Sequence, residues 1–119
     1  MRDIIAKYES LPFVWGESDC CRFVCACVEA ARGVDLSEAL SWYDEESAKA
    51  LVASYGSLRD LVTAHLGEPT RMYCDGDVCL AKHDGAEMLG VVVGHSGVMR
   101  TETGLMRWPI KRVDAIWRA

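Results

Sequence analysis

The sequence predicts an α+β fold in which helices come first and an antiparallel sheet follows. In residues 2–66 apolar side chains recur at helical spacing, and glycines follow the runs. In residues 77–118 short β-compatible runs alternate with glycine-containing turns. The chain has 119 residues, of which 50% are hydrophobic, and this suits one core. A single domain over residues 1–119 is therefore expected.

Four helices are predicted, at residues 2–8, 19–32, 44–55 and 58–66. The longest has Ser18 or Asp19 as its N-terminal cap and ends at Gly33. Its apolar stripe is expected to face the core and consists of Cys20, Val24, Cys27, Val28 and Ala31. Ser57, followed three residues later by Asp60, resembles a capping box at the start of the last helix.

The predicted sheet is a meander. Its strands are expected at residues 77–82, 89–94, 98–102 and 105–108, with turns between them at 83–85, 95–97 and 103–104. The tail at residues 113–118 contains Ile116 and Trp117 and is a candidate for a further strand. Helices followed by strands, rather than alternating with them, indicate the α+β class.

Charge and hydropathy exclude several classes of partner. The formal net charge is −5, and the acidic residues are scattered along the chain, so no nucleic-acid partner is expected. No apolar run is long enough for membrane insertion. Residues 1–7 lack the apolar stretch of a signal peptide, so no N-terminal export signal is expected.

The chain contains six cysteines, four of them between residues 20 and 27. Neighbouring positions on one helix cannot easily bridge, so a disulfide framework is not expected. Cys20 falls at the first turn of the long helix, where the helix dipole and free N–H groups favour a thiolate. This position makes Cys20 a candidate nucleophile; the alternative is a small apolar residue of the core.

A metal site is a further alternative. Cys21 and Cys25 lie four residues apart on one helical face, and Cys74 with Cys79 could complete a four-thiolate site for zinc or an iron–sulfur cluster. Neither pair has the Cys-x-x-Cys spacing of a zinc knuckle. No metal or other cofactor is therefore expected.

Three segments carry a family resemblance. Residues 13–24 read FVWGESDCCRFV, residues 76–78 read GDV and residues 89–94 read LGVVVG. In this order they resemble the conserved blocks of NlpC-type cell-wall cysteine peptidases, which have a papain-like fold. The short chain, the Gly33-Val34-Asp35 segment and the Trp117-Arg118 ending are similar to a compact branch found in tailed bacteriophages and prophages.

The resemblance implies a nucleophile at Cys20, with Cys21 and Arg22 where the family has Ser and Gly. Arginine in place of glycine would crowd the groove. The family histidine precedes the Val-Gly-Ile strand, and this register places Met88 there, facing the start of the helix. A third polar residue would fall near Arg100 or Thr101. Because methionine cannot take a proton, the resemblance implies a degenerate site.

Three histidines remain as candidate bases. His95 lies seven residues beyond Met88, which places it on the opposite face of a regular strand and in a turn. His65, at the end of a helix, is expected at the surface. His83 precedes the strand and could reach Cys20 if the hairpin is irregular. Cys20 and His83 are therefore the candidate catalytic pair.

Tryptophans can line a sugar or peptide groove, although core packing is their commoner use. Trp15 and Trp117 are expected in the core. For Trp42 and Trp108 both uses remain open.

Three functions remain as hypotheses. The first is a tail-tip or tail-assembly protein with a degenerate peptidase fold, located in the virion tail after synthesis in the host cytoplasm, with other phage tail proteins as partners. The alternative is an active endopeptidase or amidase that cuts peptidoglycan stem peptides through a thioester on Cys20. The third is a metal-binding or redox module.

Overall fold

The computed structural model describes residues 1–119 and confirms the α+β class with helices first. The helices are α1 (Arg2–Ser10), α2 (Cys20–Arg32), α3 (Glu45–Tyr55) and α4 (Leu58–Leu66). The strands are β1 (Val78–His83), β2 (Ala86–Val93), β3 (Ser96–Thr101), β4 (Gly104–Pro109) and β5 (Ala115–Trp117), with a 3₁₀ turn at Ile110–Arg112 before the last. None of the helices has the length and apolar character needed to cross a membrane.

Local capping explains where the helices begin and end. Asp19 caps α2 by accepting from the Arg22 N–H at 2.9 Å, and Gly33 ends it in the left-handed region with φ of 70°. The complete capping box belongs to α3, where Asp44 and Ser47 satisfy each other's backbone N–H groups. The expected box at α4 is only half present, because Ser57 accepts from the Asp60 N–H without a return bond.

The sheet is antiparallel with strand order β4-β3-β2-β1-β5. Strands β1 to β4 form the predicted meander, and β2 begins at Ala86, three residues before the predicted start. The earlier start follows from pairing across a tight turn, with His83 opposite Ala86. The short β5 passes back across the sheet to pair with β1, so that Trp117 lies opposite Val78.

The two faces of the sheet have different neighbours. In β1, Val78 and Leu80 belong to the main core with the helices, whereas Cys79 and Ala81 belong to a second cluster on the other face. This second cluster is covered by the side chains of Tyr73, Met88, Trp108, Ile110 and Val113. Because strand side chains alternate, the face occupied by each strand residue is decided by its position in this pattern.

The buried stripe of α2 differs from the expected one at both ends. Val24, Cys27 and Val28 are buried as predicted, together with Phe23. Cys20 is only half-buried and Ala31 is exposed. Cys20 is exposed in part because α2 starts beside a cavity rather than inside the core.

Candidate functional site

The start of α2 is held by the loop that precedes it. Arg100 is 4% exposed and donates to the carbonyl oxygens of Ser18 at 3.2 Å, Tyr8 at 2.7 Å and Leu11. The Ser18 hydroxyl accepts from the Val14 N–H at 2.8 Å and closes the same loop. These bonds tie β3 to the loop and set the position of Cys20.

Asp19 is completely buried and has a larger role than capping. Its Oδ2 accepts from the Gly16 N–H at 2.7 Å and from the indole Nε1 of Trp42 at 2.7 Å. Gly16 has a φ of 83°, and a Cβ there would overlap the backbone of Tyr43. The Trp-Gly and Asp-Cys segments are therefore joined through one carboxylate.

Arg22 holds a neighbouring loop against the first turn of α2. Its Nε donates to the Gly16 carbonyl at 2.9 Å and its Nη2 donates to the Trp42 carbonyl at 3.0 Å. The guanidinium lies 3.9 Å from the centroid of the Trp42 ring, a cation–π arrangement. The arginine thus fastens the loop containing Trp42 onto the first turn of α2.

A cavity of about 450 Å³ lies beside Cys20, between the start of α2, α3, the start of α4 and the start of β2. Eleven of its fifteen lining residues are hydrophobic. The thiols of Cys20 and Cys21 belong to this wall, together with the polar side chains of Lys49, Ser57 and Glu87. The cavity is therefore apolar, with a pair of adjacent thiols in one wall.

The environment of Cys20 favours its thiolate. A hydrogen bond from the side chain of Cys21 lowers the pKa of Cys20, and backbone hydrogen bonds from Cys21 and Cys20 itself act in the same direction. Burial and the nearby Asp19 carboxylate oppose this effect without reversing it. Cys20 is also the first residue of α2, where the helix dipole and the free N–H groups act in the same direction.

The other thiols of α2 have pKa values that are raised rather than lowered. The bond to Cys20 and burial raise the pKa of Cys21 well above its usual value. Burial raises the pKa of Cys25 to about 11 and that of Cys27 to about 12. Among the thiols of α2, the pKa of Cys20 alone is shifted towards the thiolate, so we expect Cys20 to be the most reactive of them.

The structure does not bring His83 to Cys20. His83 shares its strand face with Cys79 and Ala81, and its ring centroid lies 5.5 Å from that of Trp108. Its Nε2 is 3.4 Å from the Asp84 carboxylate, and its side chain is 49% exposed. The hairpin is regular, so the irregular turn needed for a Cys20–His83 pair is absent.

The prediction that Met88 faces α2 is also wrong, because the regular hairpin places its side chain on the other face of the sheet. Met88 packs against the second cluster, away from α2, whereas Leu89 belongs to the main core. Glu87 shares the face of Leu89 and lines the cavity with Cys20. A histidine introduced by Met88→His would therefore face away from Cys20. The carboxylate of Glu87 accepts from the Leu58 N–H at 3.0 Å and so caps α4.

Glu87 could have been identified from strand alternation alone. Leu89 and Val91 are clear core positions of β2, and Glu87 lies two residues earlier on the same face. Alignment to the family motif pointed instead to Met88. The cavity itself has no local sequence signal, because it depends on how α3 and α4 pack beside α2.

The remaining histidines and polar candidates serve other contacts. The Nδ1 of His95 is 3.2 Å from the Tyr73 hydroxyl, and the Nε2 of His65 is 3.1 Å from the Tyr55 hydroxyl. Thr101 bonds to the Gly104 carbonyl within its turn. Arg100 is engaged by the loop carbonyls described above, so it is not a partner of a base.

The four cysteines considered as metal ligands do not converge. Cys79 lies in the second cluster across the sheet, and burial raises the pKa of its thiol to about 12. Cys74 is exposed, and its sulfur accepts from the Arg32 guanidinium at 3.0 Å, next to the buried Asp77. Cys21 and Cys25 stay on α2. No group of three or more potential ligands is close enough to hold a metal ion.

Two of the four tryptophans line the cavity, and the other two pack in or against the hydrophobic clusters. Trp117 is fully buried, as predicted, and donates to the Thr63 hydroxyl at 3.2 Å. Trp42 lines the cavity with its indole nitrogen engaged by Asp19. Trp15 also lines the cavity, which differs from the expected core role. Trp108 packs against the second cluster.

The fold and site define an α+β domain with a cysteine at a helix start and an apolar cavity beside it. Residues 1–119, the whole chain, match the family described as a domain of unknown function, DUF6950, and the chain belongs to this family. No curated protein and no solved structure matches the chain.

Alkylation rates test the assignment of Cys20. In a Cys74→Ser background, which removes the exposed thiol, iodoacetamide at pH 7.5 is expected to modify Cys20 at least about tenfold faster than Cys25 or Cys27. The thiols of Cys25 and Cys27 have raised pKa values and are mostly protonated at this pH. Labelling rates would be read by peptide mass spectrometry.

A variant without the Cys21 donor provides the control. In Cys21→Ala the hydrogen bond that lowers the pKa of Cys20 is absent, so the labelling rate of Cys20 should reach its midpoint at a higher pH. Equal labelling of Cys20 and Cys25 in the Cys74→Ser background would show that Cys20 is not activated.

Proposed function

We propose that this chain is a papain-like, NlpC-type domain without peptidase activity, and that it serves as a tail-tip or tail-assembly protein of a bacteriophage. The motifs around Trp15, Cys20 and Asp77 support the fold assignment through their resemblance to NlpC-type peptidases. The tail role rests on the resemblance to the compact phage branch. Its partners would be other tail proteins, and its location the virion tail after synthesis in the host cytoplasm.

One observation carries the loss of activity: no histidine lines the cavity that contains Cys20. A cysteine peptidase needs a base for the thiol and an acid that protonates the departing amine, and histidine usually does both. The residues of β2 that face α2 are Glu87 and Leu89. Glu87 already caps α4, and Leu89 cannot transfer a proton. Amide cleavage would therefore lack its proton donor.

Three contacts support a structural role for the former site. Arg100 joins β3 to the loop before α2, and Asp19 joins this loop to Trp42. Arg22 occupies the space that the family leaves open with glycine and fastens Trp42 to α2. These bonds hold the loop before α2 and the loop containing Trp42 in fixed positions, as expected of a region that serves the fold.

An active peptidoglycan endopeptidase or amidase is the second candidate. The lowered pKa of Cys20 at a helix start favours it, since a nucleophile of this kind forms the thioester of such enzymes. Peptidoglycan stem peptides would then be its substrate. The two candidates differ in whether Cys20 is required for function.

Hydrolysis of a purified stem peptide separates them. Because general acid–base catalysis contributes about 10²- to 10⁴-fold, wild type and Cys20→Ser are both expected to release no product above the uncatalysed rate. Cys25→Ser is the matched control for thiol loss within the same helix. Wild-type hydrolysis that disappears in Cys20→Ser and persists in Cys25→Ser would establish the active peptidase instead.

Complementation tests the tail role. In a phage deleted for this chain, wild type and Cys20→Ser are expected to restore infectious particles equally. Arg100→Met, which should weaken the fold, is expected to restore fewer. Intact tails formed in the absence of the chain would overturn the assembly role.

A further inference from the structure

The absence of a histidine beside Cys20 affects reaction with an amide and reaction with a thioester differently. In amide cleavage the amine departs only after it has been protonated, so a site without an acid is blocked. A thioester releases a thiol, whose pKa of about 8.5 allows it to leave as an anion. Cys20 could therefore accept an acyl group from a thioester although it cannot cleave a peptide.

The cavity beside Cys20 has the composition of an acyl-chain site. It measures about 450 Å³, and most of its lining comes from aliphatic and aromatic side chains. These include Leu40, Leu51, Val52, Leu58 and Leu61. Because Cys20 belongs to the same wall, a chain bound in the cavity would keep its carbonyl carbon close to the sulfur. A polar stem peptide fits this lining poorly, since its amide groups would be left without partners.

The backbone at the start of α2 offers donors to the acyl carbonyl. The N–H groups of Arg22 and Phe23 are engaged by Asp19. The N–H groups of Cys20 and Cys21 lie in the first turn of α2, where the helix offers them no carbonyl acceptor. Donors at this position stabilise the negative charge that develops on a carbonyl oxygen during attack.

We propose that this cavity is an acyl site, in which the unbranched apolar chain of an acyl thioester binds and Cys20 takes the acyl group onto its sulfur. The Cys20 sulfur forms a bond to the carbonyl carbon, and the bond from that carbon to the donor's sulfur breaks. The released thiol regains the proton that Cys20 lost on ionisation, so no further reactant is needed. The product is a thioester on Cys20 and one free thiol.

The inference rests on the proposed function in one respect, the absence of a proton donor beside Cys20. The two can nevertheless fail separately. Peptidase activity is read from hydrolysis of a stem peptide, whereas acyl transfer is read from the mass of the intact protein.

The first test varies the length of the acyl chain in the thioester donor. Full-length protein in a Cys74→Ser background would be incubated with the S-acetyl and S-octanoyl thioesters of N-acetylcysteamine, which contain no nucleotide. The octanoyl thioester is expected to acylate Cys20 about 100-fold faster or more, because each methylene removed from water contributes about a factor of four. Peptide mapping and release by neutral hydroxylamine would locate the thioester on Cys20.

Two substitutions on α3 form a matched pair. Ala48 lines the cavity, and Ala48→Phe would fill part of it; Ala50 is exposed on the same helix and away from the cavity. Octanoylation of Ala48→Phe should be about tenfold slower, whereas Ala50→Phe should match the parent protein. Circular dichroism and the iodoacetamide rate of Cys20 would verify that both variants fold and keep the thiol.

The outcomes are decisive in both directions. A Cys20 thioester that forms faster with octanoyl than with acetyl donor, and that Ala48→Phe slows, supports the acyl site. No adduct on Cys20, or equal rates with both donors, would show a reactive thiol at most and overturn the proposal. Equal effects of Ala48→Phe and Ala50→Phe would also overturn it, because the cavity would then have no role.

Discussion

Replacement of Arg100 by methionine is expected to lower the free energy of unfolding by about 3–5 kcal/mol. Arg100 is buried, and its guanidinium donates to the carbonyls of Tyr8, Leu11 and Ser18. Methionine keeps the apolar part of the side chain and removes the donors, so these carbonyls would lose charge-assisted bonds in a buried place. Urea denaturation followed by far-ultraviolet circular dichroism would measure the change.

Arg107 on β4 is the matched control. Its side chain is 53% exposed, and its only ion pair is with Glu9 at 3.8 Å. Exposed pairs of this kind contribute little, so Arg107→Met should change stability by no more than about 0.5 kcal/mol. If Arg100→Met and Arg107→Met were equally stable, the bonds to the loop carbonyls would not contribute to the fold.

Asp19→Ala is expected to cost about 3–4 kcal/mol, more than an ordinary helix cap. The carboxylate accepts from two backbone N–H groups, of Gly16 and Arg22, and from the indole of Trp42. Alanine would leave all three donors unpaired beside the core. The substitution should also change the reactivity of Cys20, since the adjoining turn would no longer be held. The denaturation midpoint and the iodoacetamide rate would measure the two effects.

Asp44 allows a direct comparison, because it caps α3 in the same manner but is exposed. Its carboxylate accepts only from the Ser47 N–H, at 2.8 Å. Asp44→Ala should therefore cost about 1 kcal/mol, a typical value for a lost cap. A loss as small for Asp19→Ala would show that the bonds to Gly16 and Trp42 add nothing to stability.

The search for a base beside Cys20 shows that a family motif and the alternation of a strand can give different answers. The family register put Met88 at the histidine position, facing α2, but alternation in β2 assigns that face to Glu87 and Leu89. His83 failed as a partner of Cys20 by the same alternation in β1. In each strand a shift of one residue exchanges the two faces of the sheet, so an alignment uncertain by one position cannot locate a catalytic side chain.

The sequence by itself determined the helices, most of the meander and the position of Cys20 at the start of α2. These features depend on contacts within a few residues, such as the caps at Asp19 and Ser57 and the helix end at Gly33. Turns at 84–85 and 94–95 join strands that follow each other directly, so their pairing was also accessible from the sequence.

Only the tertiary structure decided the pairing of β5 with β1, the role of Arg100 and the cavity beside Cys20. The three residues of β5 have no stability of their own, and their partner lies more than thirty residues away along the chain. Arg100 contacts carbonyls that are 82 to 92 residues distant in sequence. The cavity is lined by residues of α2, α3, α4 and β2 together with the loops between them. Such features arise from how complete elements pack, and no local propensity encodes that packing.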